Sequence, residues 1–225
     1  MKKTVLFIVL AALACSCGTM NEVTRATQYA QMYEAQPVTL LVMPPINNTT
    51  NVEAKEYLYT SISRPLAEAG YYVISPMLAM DILKAESAYD AELFVNGSLA
   101  PFQKFFGADA VVFCEINSWT KRGFGIETDI RYFIKSAYTG EIIFDRSCEL
   151  YLDLAVRSKS GDSALSQLID MAISAIKTAS TDHIVAARMA NYYIFRDIPR
   201  GKYNPDYMQD KDVIAESKDV RATVR

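Results

Sequence analysis

The sequence predicts an α/β (α+β) fold. One mixed sheet begins with a strand–helix–strand unit, continues as an antiparallel meander and is covered by packing helices. Three observations predict it. "VTLLVM" (38–43) is a nearly continuous apolar run, as expected for a strand covered on both faces. Residues 124–154 alternate apolar and polar with period two. Residues 161–180 repeat apolar side chains at helical spacing.

The elements follow in order. After 38–43 comes "MPPINNTTN" (43–51), where two prolines stiffen the exit from the strand. Thr50 and Glu53 match a capping box, so a helix is expected to start there. Leu58, Ile62, Leu66 and Ala69 then form one apolar stripe, and Pro65 predicts a break near Ser63. "YYVIS" (71–75) reads as a second strand stopped by Pro76. Residues 77–86 read as a helix with Met77 and Met80 as core filler, and 99–107 as a short helix closed by Gly107.

Residues 108–119 start the next strand, and 124–154 form a long hairpin turning at Thr139-Gly140. Phe124, Ile126, Thr128, Ile130, Tyr132, Ile134, Ser136 and Tyr138 should share the covered face, with Glu127, Asp129, Arg131 and Lys135 on the wet one. The second arm places Ile142, Phe144, Cys148, Leu150 and Leu152 on the covered face. Arg146 interrupts it, at a sheet edge or against a carboxylate. In 161–180, Leu165, Leu168, Ile169, Ala172, Ala175, Ile176 and Ala179 make a buried stripe. Thr181 or Asp182 should cap a further helix through about Phe195, in which "NYYIF" (191–195) reads as core, with a docking patch as the alternative. Residues 209–225 are charged and are expected to be mobile.

The N-terminus is an export signal. "MKK" is a positive n-region, and "TVLFIVLAALA" (4–14) is an apolar run too short to span a bilayer. Small residues then precede Cys15 and Cys17, either of which can be the lipidated cysteine. Cys17 leaves the fuller apolar run and no spare thiol beside the anchor. The organisation is then a lipoprotein signal peptide over 1–16, a membrane tether over 17–36, one α/β domain over 37–208 and a charged tail over 209–225. Removing 1–16 takes away Lys2 and Lys3, so basic residues fall from 23 to 21 against 26 acidic ones and the formal charge becomes −5. That balance argues against a general nucleic-acid binder. Cys114 and Cys148 sit on strands separated by another strand. Two strand steps, about 9.6 Å, exceed the Cα separation a disulfide bridges, so both should be buried free thiols.

No motif for catalysis or cofactor binding is present. The sequence has one histidine, His183, expected at a polar surface, and neither G-x-S-x-G, G-x-G-x-x-G nor a P-loop. No Cys or His spacing resembles a metal site. Glu127 and Asp129 share a strand face, as paired carboxylates of a hydrolase would, but alternate with Arg131 and Lys135 as on a solvated sheet. The 43–51 loop has no glycine to cradle a phosphate, so Asn47 and Asn48 are expected to meet another protein rather than a substrate.

Four segments carry a resemblance. "TLLVMPPINNTTN" (39–51), "RPLAEAGYYVIS" (64–75), "FGADAVVFCEI" (106–116) and "ARMANYYIFRDIPRGKYNPDY" (187–207) occur in that order. Together they resemble an uncharacterised family of bacterial lipoproteins whose best-known member is a neisserial surface antigen. The resemblance covers roughly 17–208. It departs at Pro199-Arg200-Gly201, where the family order is Gly-Pro-Arg. It implies a non-catalytic, outer-membrane-anchored lipoprotein facing the periplasm, with surface exposure as the other possibility. The implied fold is similar to the small domain of the Tol periplasmic protein and to curli-secretion-type lipoproteins. The implied partner is another envelope lipoprotein of curli-secretion type, or a second copy. No cofactor, metal or small-molecule substrate is implied. The alternatives are a lipoprotein that binds a peptidoglycan synthase or the wall, and a carboxylate-dependent envelope hydrolase.

Overall fold

The computed structural model describes residues 22–154 and 179–224. Its frame is a seven-stranded mixed sheet. The strands are β1 (Thr39–Val42), β2 (Ile46–Asn47), β3 (Tyr72–Val73), β4 (Ala110–Arg122), β5 (Gly125–Ser136), β6 (Ile142–Asp153) and β7 (Asp219–Val224). The order across the sheet is β3-β1-β4-β5-β6-β7, with β2 pairing beside β4. β1 runs parallel to β3 and β4, β4–β5–β6 form the antiparallel meander, and β7 joins β6 in parallel.

Helices cover both faces. On one lie α1 (Arg25–Gln28), α2 (Ala30–Ala35), α3 (Ala54–Ser61), α4 (Ser63–Glu68) and α8 (Ala179–Phe195). On the other lie α5 (Pro76–Ala85), α6 (Glu92–Val95) and α7 (Ala100–Phe106). β1 is therefore sandwiched: Leu40 and Val42 enter the first core, Leu41 and Met43 the second. This is the expected reading of its unbroken apolar run.

The stripe Leu58, Ile62, Leu66 and Ala69 is buried, and the helix divides between Ser61 and Ser63. Pro65 has no N–H for the Ser61 carbonyl, which accounts for the division. α5 starts with Pro76 in its first turn, and α7 ends on Gly107 in the left-handed region at φ 67°. Ala79 and Leu83, not Met77, face the core from α5; Met77 is exposed.

Several expectations are corrected. The residues expected as a tether are structural from Arg25 onward. Tyr29 and Met32 are buried, and Tyr29 stacks on Phe144 at 5.2 Å. The tail expected to be mobile supplies β7, paired from Ser147↔Asp219 to Leu152↔Val224. The wet face of β5 is wet for only part of its length. Phe133 and Ala137 enter the second core, and Lys135, also buried, donates to the Val95 carbonyl. Phe124 and Tyr138, expected on the covered face, lie exposed at the ends of β5. A register shift between Ile134 and Lys135 buries Ile143 and leaves Ile142 exposed. Of the helix and stripe expected over 161–180, residues 161–178 lie outside the described residues and 179–180 belong to α8, so Thr181 and Asp182 fall inside α8 rather than at its start.

Arg146 is not at an edge, because β7 covers β6. Its guanidinium donates to the carbonyls of Tyr193 (3.1 Å), Ile194 (2.6 Å) and Ser217 (2.8 Å) and to the Glu216 carboxylate (3.2 Å). It satisfies the C-terminal carbonyls of α8, as a buried cation at a helix C-terminus should. Cys114 and Cys148 are buried free thiols on β4 and β6, with β5 between them.

Candidate functional site

Two helical stripes face each other across a groove of about 390 Å³. Tyr57, Ser61, Pro65 and Glu68 come from α3 and α4. Ile184, Arg188 and Tyr192, spaced by four, come from α8. Tyr57, Pro65, Ile184 and Tyr192 give it an apolar floor. Glu56, Arg64, Glu68 and Arg188 are exposed at its rim, and Arg64 Nε pairs with Glu68 at 2.7 Å.

A buried polar chain fixes the spacing of the walls. The Tyr132 hydroxyl on β5 donates to Asn191 Oδ1, Asn191 Nδ2 donates to Ser61 Oγ at 2.8 Å, and Ser61 Oγ donates to the Tyr57 carbonyl at 2.6 Å. Every member has a partner, so the chain locks α3, α8 and β5 in one arrangement. Asn191, Ile194 and Phe195 of the 191–195 segment are core, as expected. Tyr192 is half-buried and lines the groove.

His183 is buried, which corrects the expected surface position. It stacks on Tyr57 at 5.8 Å and backs that wall of the groove. Trp119 reaches it because β4 shifts register between Ile116 and Ser118. The extra residue turns Trp119 onto the face already used by Ile116.

Glu53 does not complete a capping box: α3 has no side-chain cap. Its carboxylate instead accepts from the Tyr57 hydroxyl at 2.7 Å, which pushes the Tyr57 phenol up to about 12. The loop before α3 is closed by Asn47. Its Oδ1 accepts from the Thr49 N–H (3.1 Å) and hydroxyl (2.7 Å), and its Nδ2 donates to Asn51 O (2.8 Å). Asn47 is thus turned inward and used locally; only Asn48 stands exposed.

Glu127 and Asp129 lie in a shallow depression of about 340 Å³ with Glu149, Tyr151 and Arg221, on the other face from the groove. Glu127 is held by Arg122 at 2.8 Å, and Glu149 by Arg221 at 3.1 Å. Burial, reinforced by Glu149 directly across the ladder, pushes the Asp129 carboxyl up, and Asn117 opposes it. Among the described residues no group of three His, Cys, Asp or Glu is placed to hold a metal ion. Cys15 and Cys17 lie outside the described residues.

Of the groove residues, only Tyr192 was singled out from sequence for contact, within the 191–195 segment that could also be a docking patch. The signal was available: Tyr57, Ser61 and Pro65 repeat one position before the buried stripe, and Ile184, Arg188 and Tyr192 repeat by four. What such a border stripe faces is set by the pairing of helices distant in sequence.

The family profile described as "Putative lipoprotein GNA1162-like" matches residues 27–195. The chain belongs to this family. A curated relative, "Putative lipoprotein NMB1124/NMB1162" of Neisseria meningitidis serogroup B, is 28% identical over 111 residues, 49% of this chain and 50% of the relative. The chain thus spans about half the length of that relative. The crystal structure of lipoprotein GNA1162 from Neisseria meningitidis superposes with a TM-score of 0.50 at 20% identity, covering 64% of this chain and 99% of that one. A hypothetical protein, CT253 of Chlamydia trachomatis, is similar with a TM-score of 0.43 at 16% identity, over 72% of this chain and 93% of that one. The family expected from the four segments is thereby shown, the mixed α/β fold expected from the order of elements is the one described above, and a lipoprotein is envelope-associated. No described helix is long and apolar enough to cross a membrane.

Proposed function

We propose that this protein is a non-catalytic binding component of a cell-envelope complex, held at the outer membrane by a lipid on Cys17 with its domain in the periplasm. Its partner is another envelope protein, which inserts an amphipathic segment between α3/α4 and α8. The groove itself carries the reading. An aromatic and aliphatic floor within a charged rim is the composition that buries protein side chains. A rigid polar chain beneath it keeps the walls preorganised. Asn48, exposed beside the start of α3, supplies a second contact.

Photo-crosslinking tests this. A benzoylphenylalanine is placed at Arg64 or Arg188 of the full acylated chain in whole cells, and adducts are identified by mass spectrometry. One defined envelope protein should be captured from both positions, and Ile184→Asp should weaken capture. Equal capture from Lys104 on α7, across the sheet, or no adduct from the groove, refutes the proposal. An adduct with a second copy would replace the hetero-partner with self-assembly.

A further inference from the structure

The described domain begins close to the expected anchor. Glu22 lies five residues after Cys17, and the chain is hydrogen-bonded into the fold almost at once. Arg25 N donates to Val213 O at 2.8 Å, Ala26 N to Lys211 O at 3.0 Å, and Ala215 N to Val23 O at 2.8 Å. Thr24 forms an antiparallel bridge with Ile214. The Arg25 side chain is buried between Asp197 (2.9 Å) and Asp210 (3.1 Å). Five extended residues span at most about 18 Å. A lipid on Cys17 therefore holds this corner of the domain near the bilayer, and a lipid on Cys15 would add only about 7 Å.

The corner carries apolar side chains that the fold leaves uncovered. Val23 is 44% exposed, Val213 46% and Ile214 48%. Scattered apolar residues on a surface are ordinary. The Thr24–Ile214 bridge brings the backbone of all three to one edge, at the point where the chain leads toward the anchor. The charges around them balance: Lys211 and Lys218 stand against Glu22 and Asp212, and Glu216 is taken up by Arg146 and Arg196. The patch therefore fits an apolar contact rather than attraction to anionic headgroups.

We infer that the Val23–Val213–Ile214 edge rests in the interfacial layer of the bilayer and fixes the orientation of the domain beside its anchor. The inference rests on the lipid anchor proposed above.

The test uses the full acylated chain in phosphatidylethanolamine vesicles, with an environment-sensitive fluorophore on Ile214→Cys. Cys114 and Cys148 are buried, so the folded protein reacts at the introduced thiol. Emission should shift to the blue and be quenched at least twofold by headgroup-proximal spin-labelled lipid. Added phosphatidylglycerol or salt should leave this unchanged. The same fluorophore on Phe105→Cys, on α7 across the sheet, should stay aqueous and unquenched. Val23→Asp with Val213→Asp should abolish quenching at position 214 while the protein stays on the vesicles. Aqueous emission at both sites, in protein whose mass shows acyl chains, overturns the inference and leaves the anchor standing. A blue shift without lipid quenching also overturns it, because a second copy would then cover the edge. Protein whose mass shows no acyl chain overturns anchor and inference together.

Discussion

The indole Nε1 of Trp119 donates to Nδ1 of His183 at 2.8 Å, and the imidazole stacks on both that indole and the ring of Tyr57. An imidazole that accepts at Nδ1 is neutral and carries its proton on Nε2. Burial pushes the His183 pKa below its ordinary value and Lys121 adds to this, while Asp182 and Glu53 oppose. The unfolded chain therefore takes up a proton that the folded chain refuses. The stabilisation is complete above the unfolded value, about 6.5, and is lost as pH falls below it. The slope is at most about 1.4 kcal/mol per pH unit until the folded pKa is reached. Urea unfolding between pH 8 and 5 should show this loss in the native protein and not in His183→Gln. Parallel profiles would rule it out.

Arg25 joins the start of the described chain to its last third. Its carboxylate partners are themselves held: Asp197 by the Tyr29 hydroxyl and the Glu216 N–H, Asp210 by the Arg200 N–H. Arg25→Met leaves two carboxylates buried without their cation, and should cost about 3–5 kcal/mol. Arg64→Met removes an exposed pair with Glu68 and should cost under about 1 kcal/mol. Equal shifts in urea midpoint would contradict the ranking.

Gly70 and Gly201 pack backbone to backbone. A methyl group on Gly201 would sit 2.5 Å from the Gly70 carbonyl oxygen, and one on Gly70 2.5 Å from Asn204 N. Gly201 N also donates to Ala69 O at 2.9 Å. Gly201→Ala should destabilise by about 1–3 kcal/mol through overpacking, although its own backbone angle admits alanine. The Pro199-Arg200-Gly201 turn thus brings a glycine to Gly70. A neutral Gly201→Ala in thermal melts would refute this.

Burial pushes the Cys148 thiol up to about 12 and the Cys114 thiol higher still. Neither should react with iodoacetamide at pH 8 in the folded protein, and both should react in urea. Mild oxidant should leave their mass unchanged, because β5 separates them. Rapid native labelling of either would contradict the packing.

Periodicity alone carried much of the fold. β1, the break at Ser63, the Gly107 stop and the long hairpin follow from residue order, because apolar spacing and missing donors act within a few residues. Only pairing could show that charged residues 209–225 supply a strand, since Asp219–Val224 alternates weakly and gains its order from β6. The groove was half legible: its two border stripes repeat at helical spacing, but their facing each other is a non-local fact.

The sequence by itself determined a chain of the lipoprotein family with a mixed α/β domain and two thiols kept apart by a strand. Tertiary structure decided where its polar residues went. Arg146 went to the carbonyl end of α8, Arg25 between two distant carboxylates, and His183 behind Tyr57. Each of these groups needs a partner when buried, and the partner lies scores of residues away in all three cases. Bulges added a second layer. One extra residue at Asn117 reversed which side of β4 faces inward, and local alternation carries no sign of where a ladder will slip.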